Sequence, residues 1–366
     1  MDKKSILICP LDWGLGHATR CVPIITELLN QNYKVLIGAS DRSADLLRAE
    51  FPKLTIIPFS GYEISYPERG SMIVNMSKQI PRLISRIAAE KREVRKIVKD
   101  YQIDGIISDN RFGLGIAEVP TAYITHQVKI ATPSQFRFLE PVLKYLHQRI
   151  LNRYNEVWIP DYSGENNLSG RLSHDQKLPV NTHFIGPLSR FNKDVSLNET
   201  PATELLVIIS GPEPQRTMFE WMILRQLDGR TESVVIVRGA PESQRKVNVS
   251  DNITVVDHLP AMELNQAICN ASIIVARSGY STIMDLSKLG KQAIFIPTPG
   301  QTEQEYLAEL LKNKNVCYSE PQDGFDLERS LSMVNNFSGF KLEERNGNIL
   351  KTRIQSLFGT VQNKNS

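Results

Sequence analysis

Residues Ala276-Arg-Ser-Gly-Tyr-Ser-Thr-Ile-Met-Asp-Leu-Ser-Lys-Leu-Gly290 lie between two short apolar runs, 272–275 and 292–296. The apolar runs are typical of buried strands, and the quoted stretch has the spacing of a helix that opens with small residues. The first N–H groups of a helix have no partner inside it and can bind an anion. The stretch therefore predicts a strand, a phosphate-binding turn and a helix. Asp285, in the second helical turn, could reach sugar hydroxyls beside a bound diphosphate.

The same alternation of apolar runs and amphipathic segments continues through the rest of the chain. Strand and helix in alternation predict βαβ units and a parallel sheet. We expect an α/β protein with two doubly wound Rossmann-like domains, whose strand-end loops face one cleft. The expected parts are a first domain at 1–188, a polar linker at 189–203, a second domain at 204–340, and a C-terminal helix within 341–366 that packs back on the first domain.

The composition is that of an ordinary globular protein, with 366 residues, 41% hydrophobic and 23% charged. A net charge of +3 is too small to indicate nucleic-acid binding. The cysteines are widely spaced and form no C-x-x-C pair, which argues against structural zinc and a disulfide scaffold; they are Cys9, Cys21, Cys269 and Cys317. No signal peptide or long apolar run is seen, so we expect a cytoplasmic protein.

The loop after the first predicted strand carries Gly14, Gly16 and His17. The two glycines permit close approach of the backbone to a ligand. His17 stands where a helix begins, and a neutral imidazole there could take a proton from a hydroxyl or a water. The alternative is a histidine that only caps its own helix. Thr19 replaces the third glycine of a dinucleotide fingerprint, which disfavours a nicotinamide cofactor.

Four segments, in this order, resemble glycosyltransferases of family 28, which have the GT-B fold. The segments are Gly14-Leu15-Gly16-His17, residues 119–127, residues 277–285 and Gln304-Glu305. In the third, Asp285 stands where the family has a ribose-binding Glu. Two segments differ from the family pattern. Residues 108–115 are charged and bulky where the family has a Gly-rich acceptor loop, and residues 211–216 replace a Gly-Gly-Ser-type turn.

The resemblance implies candidate roles for particular residues. His17 is the first candidate base and His126 the second, as an acceptor-binding or stabilising group. Expected donor-binding residues are Gly14, Gly16, Arg216, Arg277, Ser278, Gly279, Thr282, Asp285, Gln304 and Glu305. Expected acceptor-side residues are Asp109, Asn110 and Gln127.

Each role has a plainer alternative. His126 could be a buried, hydrogen-bonded histidine, and Arg277 a structural partner in a salt bridge. Ser278 and Thr282 could only cap a helix, and so could Gln304 or Glu305. Asp285 could be a surface carboxylate.

The resemblance implies an inverting transferase that takes a sugar from a UDP-sugar, with UDP-N-acetylglucosamine as the leading donor. The sequence holds no Asp-x-Asp, so we expect no metal or other cofactor, and main-chain N–H groups would stabilise the leaving diphosphate. The acceptor stays open, with lipid-linked and glycan acceptors both considered.

Other functions compete with that of a UDP-sugar-dependent transferase. Gly16-His17-Ala18-Thr19-Arg20-Cys21 also resembles a loop of nucleotide-sugar hydrolases, in which the histidine activates water. A 2-epimerase is disfavoured, and a non-catalytic sugar-nucleotide-binding protein is the alternative of another class.

A basic amphipathic segment spans 78–100. Its cations are Lys78, Arg82, Arg86, Lys91, Arg92, Arg95, Lys96 and Lys99. Such a helix could rest on anionic lipid at the inner face of the cell membrane. The alternative is an outer helix whose apolar stripe packs on the sheet.

Overall fold

In the computed structural model the chain divides into two compact units, Met1–Leu188 with Arg345–Ser366, and Ser189–Glu344. The described residues are 3–12, 14–59, 61–62, 72–129, 138, 140–174, 178–193, 203–211, 213–240, 246–342 and 348–359. Within these ranges, 72–83 and 246–248 are described as backbone only.

The first unit contains a seven-stranded parallel sheet. Its strands are β1 (Ser5–Pro10), β2 (Lys34–Ala39), β3 (Thr55–Pro58), β4 (Gly105–Asp109), β5 (Thr121–Ile124), β6 (Glu156–Ile159) and β7 (Thr182–Phe184). The order β3-β2-β1-β4-β5-β6-β7 reverses direction between β1 and β4. In doubly wound sheets ligands bind outside the carboxyl ends of the strands at such a reversal.

Five helices belong to this unit: α1 (Leu15–Asn30), α2 (Asp41–Glu50), α3 (Met72–Tyr101), α4 (Glu140–Leu151) and, from the far end of the chain, α10 (Ile349–Phe358). β1 and β4 are buried along their whole length, as is expected where helices cover both faces of a parallel sheet. Val94 and Ile97 of α3 are part of this core. The C-terminal part of the apolar stripe of α3 therefore packs inward, whereas Ile84 is 62% exposed.

The second unit also contains seven strands, in the order β10-β11-β9-β8-β12-β13-β14. They are β8 (Thr203–Ile208), β9 (Val234–Val237), β10 (Lys246–Ser250), β11 (Ile253–Val256), β12 (Ala271–Ala276), β13 (Ala293–Phe295) and β14 (Tyr318–Ser319). Its helices are α5 (Gln215–Gln226), α6 (Ala261–Asn270), α7 (Tyr280–Leu289), α8 (Thr302–Asn313) and α9 (Leu327–Val334). Only β10 pairs antiparallel. The order reverses between β8 and β12, which places the turn before α7 at the switch point.

Two helix boundaries differ from the sequence prediction. A helix expected at 134–154 spans Glu140–Leu151 as α4, and 134–137 lie outside the described residues. The last helix, expected from 341, begins at Ile349. Residues 341–342 are not helical, and 343–347 lie outside the described part. Of the expected linker, 194–202 are likewise outside it, and β8 begins at Thr203.

Helix α10 is built into the first unit through Phe358. A Cβ at Gly105 would lie 2.5 Å from the Phe358 ring, so a glycine at the start of β4 makes room for it. Lys4 Nζ donates to the Phe358 carbonyl oxygen at 2.6 Å. The Phe358 ring also packs edge-on against Trp158 at 6.5 Å. A helix that is distant in sequence thus packs against the sheet of the first unit.

Candidate functional site

The first cluster of functional side chains lies where β1 and β4 end. Pro10 and Asp109 are register partners at the carboxyl ends of these neighbouring strands. Gly14, the residue before α1, has φ 130°, a backbone conformation that side chains rarely adopt. The chain turns there so that the first turn of α1, with Gly16 and His17, follows directly on β1.

A buried carboxylate holds the histidine of α1. Nδ1 of His17 lies 3.1 Å from Oδ1 of Asp109, and Asp109 is completely buried. Arg20 donates from Nε to Asp109 Oδ2 at 2.6 Å and from Nη2 to Oδ1. Arg20 therefore neutralises the carboxylate while Asp109 also orients the imidazole. Asp109, expected on the acceptor side, has the surroundings of a positioning group for His17.

Arg20 also connects the two candidate histidines. Its Nη2 lies 2.7 Å from Nδ1 of His17, and its Nη1 lies 3.3 Å from Nδ1 of His126. Cys21 donates its thiol to Asp109 at 3.8 Å. The structure thus gathers His17, His126 and Asp109 around Arg20, which the sequence analysis had not included among the site residues. The available signal was the i, i+3 spacing of His17 and Arg20, which places both on one helix face.

Burial and neighbouring charges act in opposite directions on the pKa of Asp109 and of His17. Burial by itself would raise the pKa of Asp109, but Arg20 and His17 outweigh it and hold the pKa at about 2. Burial lowers the pKa of His17, and the Arg20 charge lowers it further, against the opposing pull of Asp109. His17 is therefore neutral at physiological pH, as a general base must be.

Only one tautomer of His17 suits a base. When Nδ1 carries the proton it donates to Asp109, and Nε2 keeps a lone pair. Nε2 makes no hydrogen bond to any residue that the structure describes. When Nε2 carries the proton, Nδ1 instead accepts from Arg20. Of the two tautomers, the one in which Nδ1 donates to Asp109 is the one that leaves Nε2 able to accept a proton.

Local hydrogen bonds hold the other candidate residues of the first unit, His126, Asn110 and Gln127. Ser173 donates its hydroxyl to the His126 carbonyl oxygen at 3.0 Å, so the main chain of His126 is tied to the loop after β6. Asn110 has φ 57°, and its side-chain oxygen accepts from Tyr123 at 2.9 Å. Gln127 N donates to Thr125 Oγ1 at 3.0 Å. These residues shape the loops after β4 and β5.

In the second unit, the turn between β12 and α7 has the predicted strand–turn–helix form. Gly279 is the residue before α7, which has neither a side-chain cap nor an acidic residue in its first turn among the described residues. A Cβ at Gly279 would meet only Thr282 Oγ1, at 4.0 Å. Ser278 is buried and donates its hydroxyl to the Gln304 carbonyl oxygen at 2.8 Å. The start of α7 thus lies at the switch point of the sheet.

Arg277 supports the turn between β12 and α7 through several contacts. It is buried and stacks on Phe219, with its guanidinium carbon 4.2 Å from the ring centroid. It donates to the Ile296 carbonyl at 3.0 Å, the Gln215 carbonyl at 3.1 Å and the Gln322 side chain at 2.6 Å. No carboxylate of the described residues pairs with it, and burial lowers its pKa to about 10. Carbonyl oxygens and the Gln322 side chain, and not a salt bridge, thus hold Arg277, and its buried Nε has no hydrogen-bond partner among the described residues.

Asp285 is held within the second unit by Ser189, which donates its hydroxyl to Oδ1 at 2.5 Å. Burial raises the pKa of Asp285 to about 7, against the lowering effects of Ser189 and Arg190. The carboxyl group is therefore close to the point of ionisation at physiological pH. Hydrogen bonds from sugar hydroxyls to the charged form would favour ionisation.

The remaining donor-side candidates make local contacts. Gln304 Oε1 accepts from Thr298 N at 2.9 Å, and Glu305 Oε1 accepts from Gly300 N at 2.8 Å. Arg216 pairs with Glu213 at 2.6 Å and points toward the Gly239 carbonyl at 3.4 Å. Their side chains thus organise the loops after β13 and β9.

No group of three or more His, Cys, Asp and Glu side chains among the described residues is arranged to hold a metal ion. None of the helices in that part of the chain combines the length and the apolar character needed to cross a membrane.

Comparison with known proteins identifies the class. Residues 219–352 match the glycosyltransferase family 28 C-terminal domain. A UDP-N-acetylglucosamine--N-acetylmuramyl-(pentapeptide) pyrophosphoryl-undecaprenol N-acetylglucosamine transferase of Histophilus somni is 24% identical over 360 residues, covering 94% of this chain and 92% of that protein. An uncharacterized glycosyltransferase of Methanosarcina mazei is 22% identical over 351 residues, covering 88% and 87%. The crystal structure of Acinetobacter baumannii MurG is similar with a TM-score of 0.58 at 12% identity, covering 97% of this chain and 99% of that one.

The chain therefore has the GT-B fold, and it is a glycosyltransferase. The match of residues 219–352 to the family 28 C-terminal domain agrees with the resemblance found in the sequence.

Proposed function

We propose that this glycosyltransferase moves N-acetylglucosamine from UDP-N-acetylglucosamine to an acceptor hydroxyl with inversion at the anomeric carbon. The observation that carries the donor half is the uncapped start of α7 behind Gly279, within the family 28 domain. The relative in Histophilus somni, which is named for UDP-N-acetylglucosamine, supports this choice of sugar and nucleotide.

The donor would be held by the second unit. The N–H groups at the start of α7 receive the diphosphate, and the helix dipole favours the negative charge that builds on it. Asp285 takes the ribose hydroxyls. Arg277 keeps the turn in place through its bonds to the Ile296 and Gln215 carbonyls and its stacking on Phe219.

The first unit would supply the base. Nε2 of His17 takes the proton of the acceptor hydroxyl while its oxygen attacks the anomeric carbon. The bond between that carbon and the diphosphate oxygen breaks, and UDP leaves with the electron pair. Asp109 holds the imidazole and stabilises the cation that forms, as the carboxylate does in other histidine bases.

Transfer to water is the competing reaction. The similarity to nucleotide-sugar hydrolases rests on Arg20 and Cys21, and both contact Asp109 in the structure. The relatives and the family 28 domain favour transfer to a sugar acceptor. The two reactions use the same base and differ only in the attacking oxygen.

Two measurements test the proposal. A thermal-shift panel of UDP-, GDP- and CMP-sugars should show stabilisation by UDP-N-acetylglucosamine, since a ligand of the folded state stabilises it by mass action. UDP release should then be slow in buffer alone and rise when a hydroxyl acceptor is added. Free N-acetylglucosamine at full rate without acceptor would establish the hydrolase, and no protection by any uridine compound would reject both enzymes.

A peripheral membrane contact is a further part of the proposal. The exposed cations of α3 include Arg92, Lys96 and Lys99, and they could attract an anionic bilayer. Sedimentation with vesicles that contain anionic lipid should then fall when salt is raised from about 50 to about 500 mM. Equal sedimentation with neutral vesicles would reject the contact.

A further inference from the structure

The segment that connects the two units contributes a side chain to the candidate donor site. The first unit reaches Leu188, and the second begins at Ser189. Ser189 is half-buried, and its hydroxyl donates to Oδ1 of Asp285 at 2.5 Å. Under the proposed function, on which this inference rests, Asp285 takes the ribose hydroxyls of the donor. The bond from Ser189 therefore bears on how the ribose is recognised.

Asp285 shares one face of α7 with residues of the first helical turn. Ser281 and Thr282 are half-buried, as Asp285 is, and their spacing of four and three residues from it places them on its face. The buried residues of the helix are Tyr280, Ile283, Met284, Leu286, Ser287 and Leu289. From the rise of a helix, Asp285 lies about 7.5 Å along the axis from Tyr280. That separation suits a ligand with a diphosphate at the helix start and sugar hydroxyls a few ångströms further on.

The two carboxylate oxygens of Asp285 have different surroundings. Oδ1 accepts the proton of Ser189. Oδ2 makes no hydrogen bond within the described part of the chain, and it is not enclosed by the protein. The bond at Oδ1 restricts rotation of the group, so Oδ2 is the oxygen that a ligand can reach. Since a carboxylate only accepts hydrogen bonds, the ligand group there must be a donor, as ribose hydroxyls are.

Ser189 is itself held in place. Its Oγ accepts from the Phe191 N–H at 3.1 Å, so its own proton is directed to Asp285. Phe191 is buried, and Asn265 of α6 donates to the Asn192 carbonyl oxygen at 3.1 Å. These contacts attach residues 189–192 to the second unit. The hydroxyl that holds Asp285 therefore has a defined position.

The bond from Ser189 also favours the charged form of the carboxyl group. Burial raises the pKa of Asp285, and the Ser189 hydroxyl and Arg190 act against this rise. A hydrogen bond to the ionised form stabilises that form. A carboxylate accepts stronger hydrogen bonds than a neutral carboxylic acid. Ser189 thus supports the form of Asp285 that binds hydroxyls more strongly.

We propose that Ser189 is a positioning residue for ribose recognition, which holds Asp285 through Oδ1 and directs Oδ2 to the ribose hydroxyls of the donor. The segment between the two units is then part of the donor site. A sugar nucleotide that lacks both ribose hydroxyls has no donor for Oδ2 and loses this contact.

The experiment measures by calorimetry how the full protein binds UDP-N-acetylglucosamine and its 2′,3′-dideoxyribose analogue. The two ligands carry the same base, diphosphate and sugar. Ser189→Ala removes the hydroxyl, and Ser189→Thr keeps it. Ser332→Ala is the matched control, because the Ser332 hydroxyl donates to the Arg329 carbonyl oxygen on α9.

We expect the wild type, Ser189→Thr and Ser332→Ala to prefer the ribose ligand by roughly 10-fold or more, the scale of hydrogen bonds to a charged group. In Ser189→Ala this preference should fall by roughly 5-fold or more, because the carboxylate is no longer held. Its affinity for the dideoxy analogue should stay that of the wild type, which a general loss of structure would not allow.

Equal losses for both ligands in Ser189→Ala, or an undiminished preference, would overturn the proposal. So would a wild type that binds the two ligands equally. If Ser189→Ala does not fold, Ser189→Cys takes its place, since a thiol fills similar space and is only a weak donor.

Failure of the proposed function has a different signature. The wild type would then bind neither ligand, and the role of Ser189 would be rejected together with the donor. Where the wild type binds both ligands and Ser189→Ala behaves as it does, the donor stands and only the role of Ser189 is rejected.

Discussion

The Nδ1 atom of His17 lies 3.1 Å from a carboxylate oxygen of Asp109, a residue with no exposed surface. The charge of Asp109 is balanced by Arg20, one helical turn beyond His17. The imidazole is thus oriented by a carboxylate that stays ionised. The proposed role of His17 as base therefore depends on three side chains from two elements.

Replacing His17 by glutamine should lower kcat by about 100-fold or more, the usual scale for the loss of a general base. The measurement is UDP release with acceptor present. His183→Gln is the matched control, since His183 lies elsewhere in the first unit beside Arg353. Unchanged turnover in His17→Gln would remove the base from the mechanism.

The pH profile of kcat/KM should reveal the lowered pKa of His17. Burial and Arg20 favour the neutral imidazole, so activity should persist below about pH 6.5, the ordinary pKa of histidine. Asp109→Asn removes the group that raises this pKa. The acid limb should therefore move to still lower pH while the plateau falls. A limb above pH ~7 in the wild type would contradict the assignment.

Asp285→Asn should stabilise the protein in alkaline solution. The folded pKa of Asp285 is raised to about 7, above an unfolded value of about 3.9. The folded state therefore binds the extra proton, and stability falls as pH rises from about 4 to about 7. The variant avoids this loss and should gain roughly 1–3 kcal/mol at about pH 8 and nothing at about pH 4. Denaturant unfolding at both pH values measures it, with the exposed Asp228→Asn as control.

Binding of UDP-N-acetylglucosamine should release a proton near neutral pH. Ribose hydroxyls that donate to Asp285 favour its ionised form and so lower a pKa that stands at about 7 in the free protein. Calorimetry at about pH 7 in buffers of different ionisation enthalpy counts the protons released. The nucleotide sugar is preferred to UDP because its diphosphate has no terminal group that titrates there. Proton release that persists in Asp285→Asn would assign it to another group.

Arg277→Lys should weaken both folding and UDP binding. Lysine offers a single nitrogen where Arg277 bonds carbonyls on two sides and stacks on Phe219. We expect a loss of about 2–4 kcal/mol in the free energy of unfolding and roughly 10-fold weaker UDP binding. Arg225→Lys, on the exposed side of α5, is the matched control. Equal effects of the two substitutions would show that Arg277 does not brace the turn.

Much of the fold was predictable because its signals are local. The central strands contain short apolar runs, residues 6–9 in β1 and 105–107 in β4, and such runs are expected where helices cover both faces of a sheet. β10 (Lys246–Ser250) was not predicted. It is the outer strand of a hairpin with β11, and its polar residues alternate with valines instead of forming an apolar run.

The sequence predicts individual candidate residues of the site, but it does not predict how they are arranged in space. His17 and the turn at Ser278 follow from loops after apolar strands. The role of Asp109 depends on β4 lying next to β1, which strand order fixes and local sequence does not. The position of Glu90 depends on α3 reaching back to the loop after β4. The family resemblance predicts acceptor contacts for that loop. The ion pair between Glu90 and Arg111 can be seen only in the three-dimensional structure.

The packing of Phe358 against Gly105 affects the order in which the two units can fold during synthesis on the ribosome. Synthesis proceeds from the N-terminus, so residues 1–188 emerge well before the helix that completes their sheet. During that interval β4 lacks its contact with Phe358, whereas the unit Ser189–Glu344 needs no residue translated after 344. The second unit can thus fold first, and the first unit reaches its final form only after translation has passed Phe358.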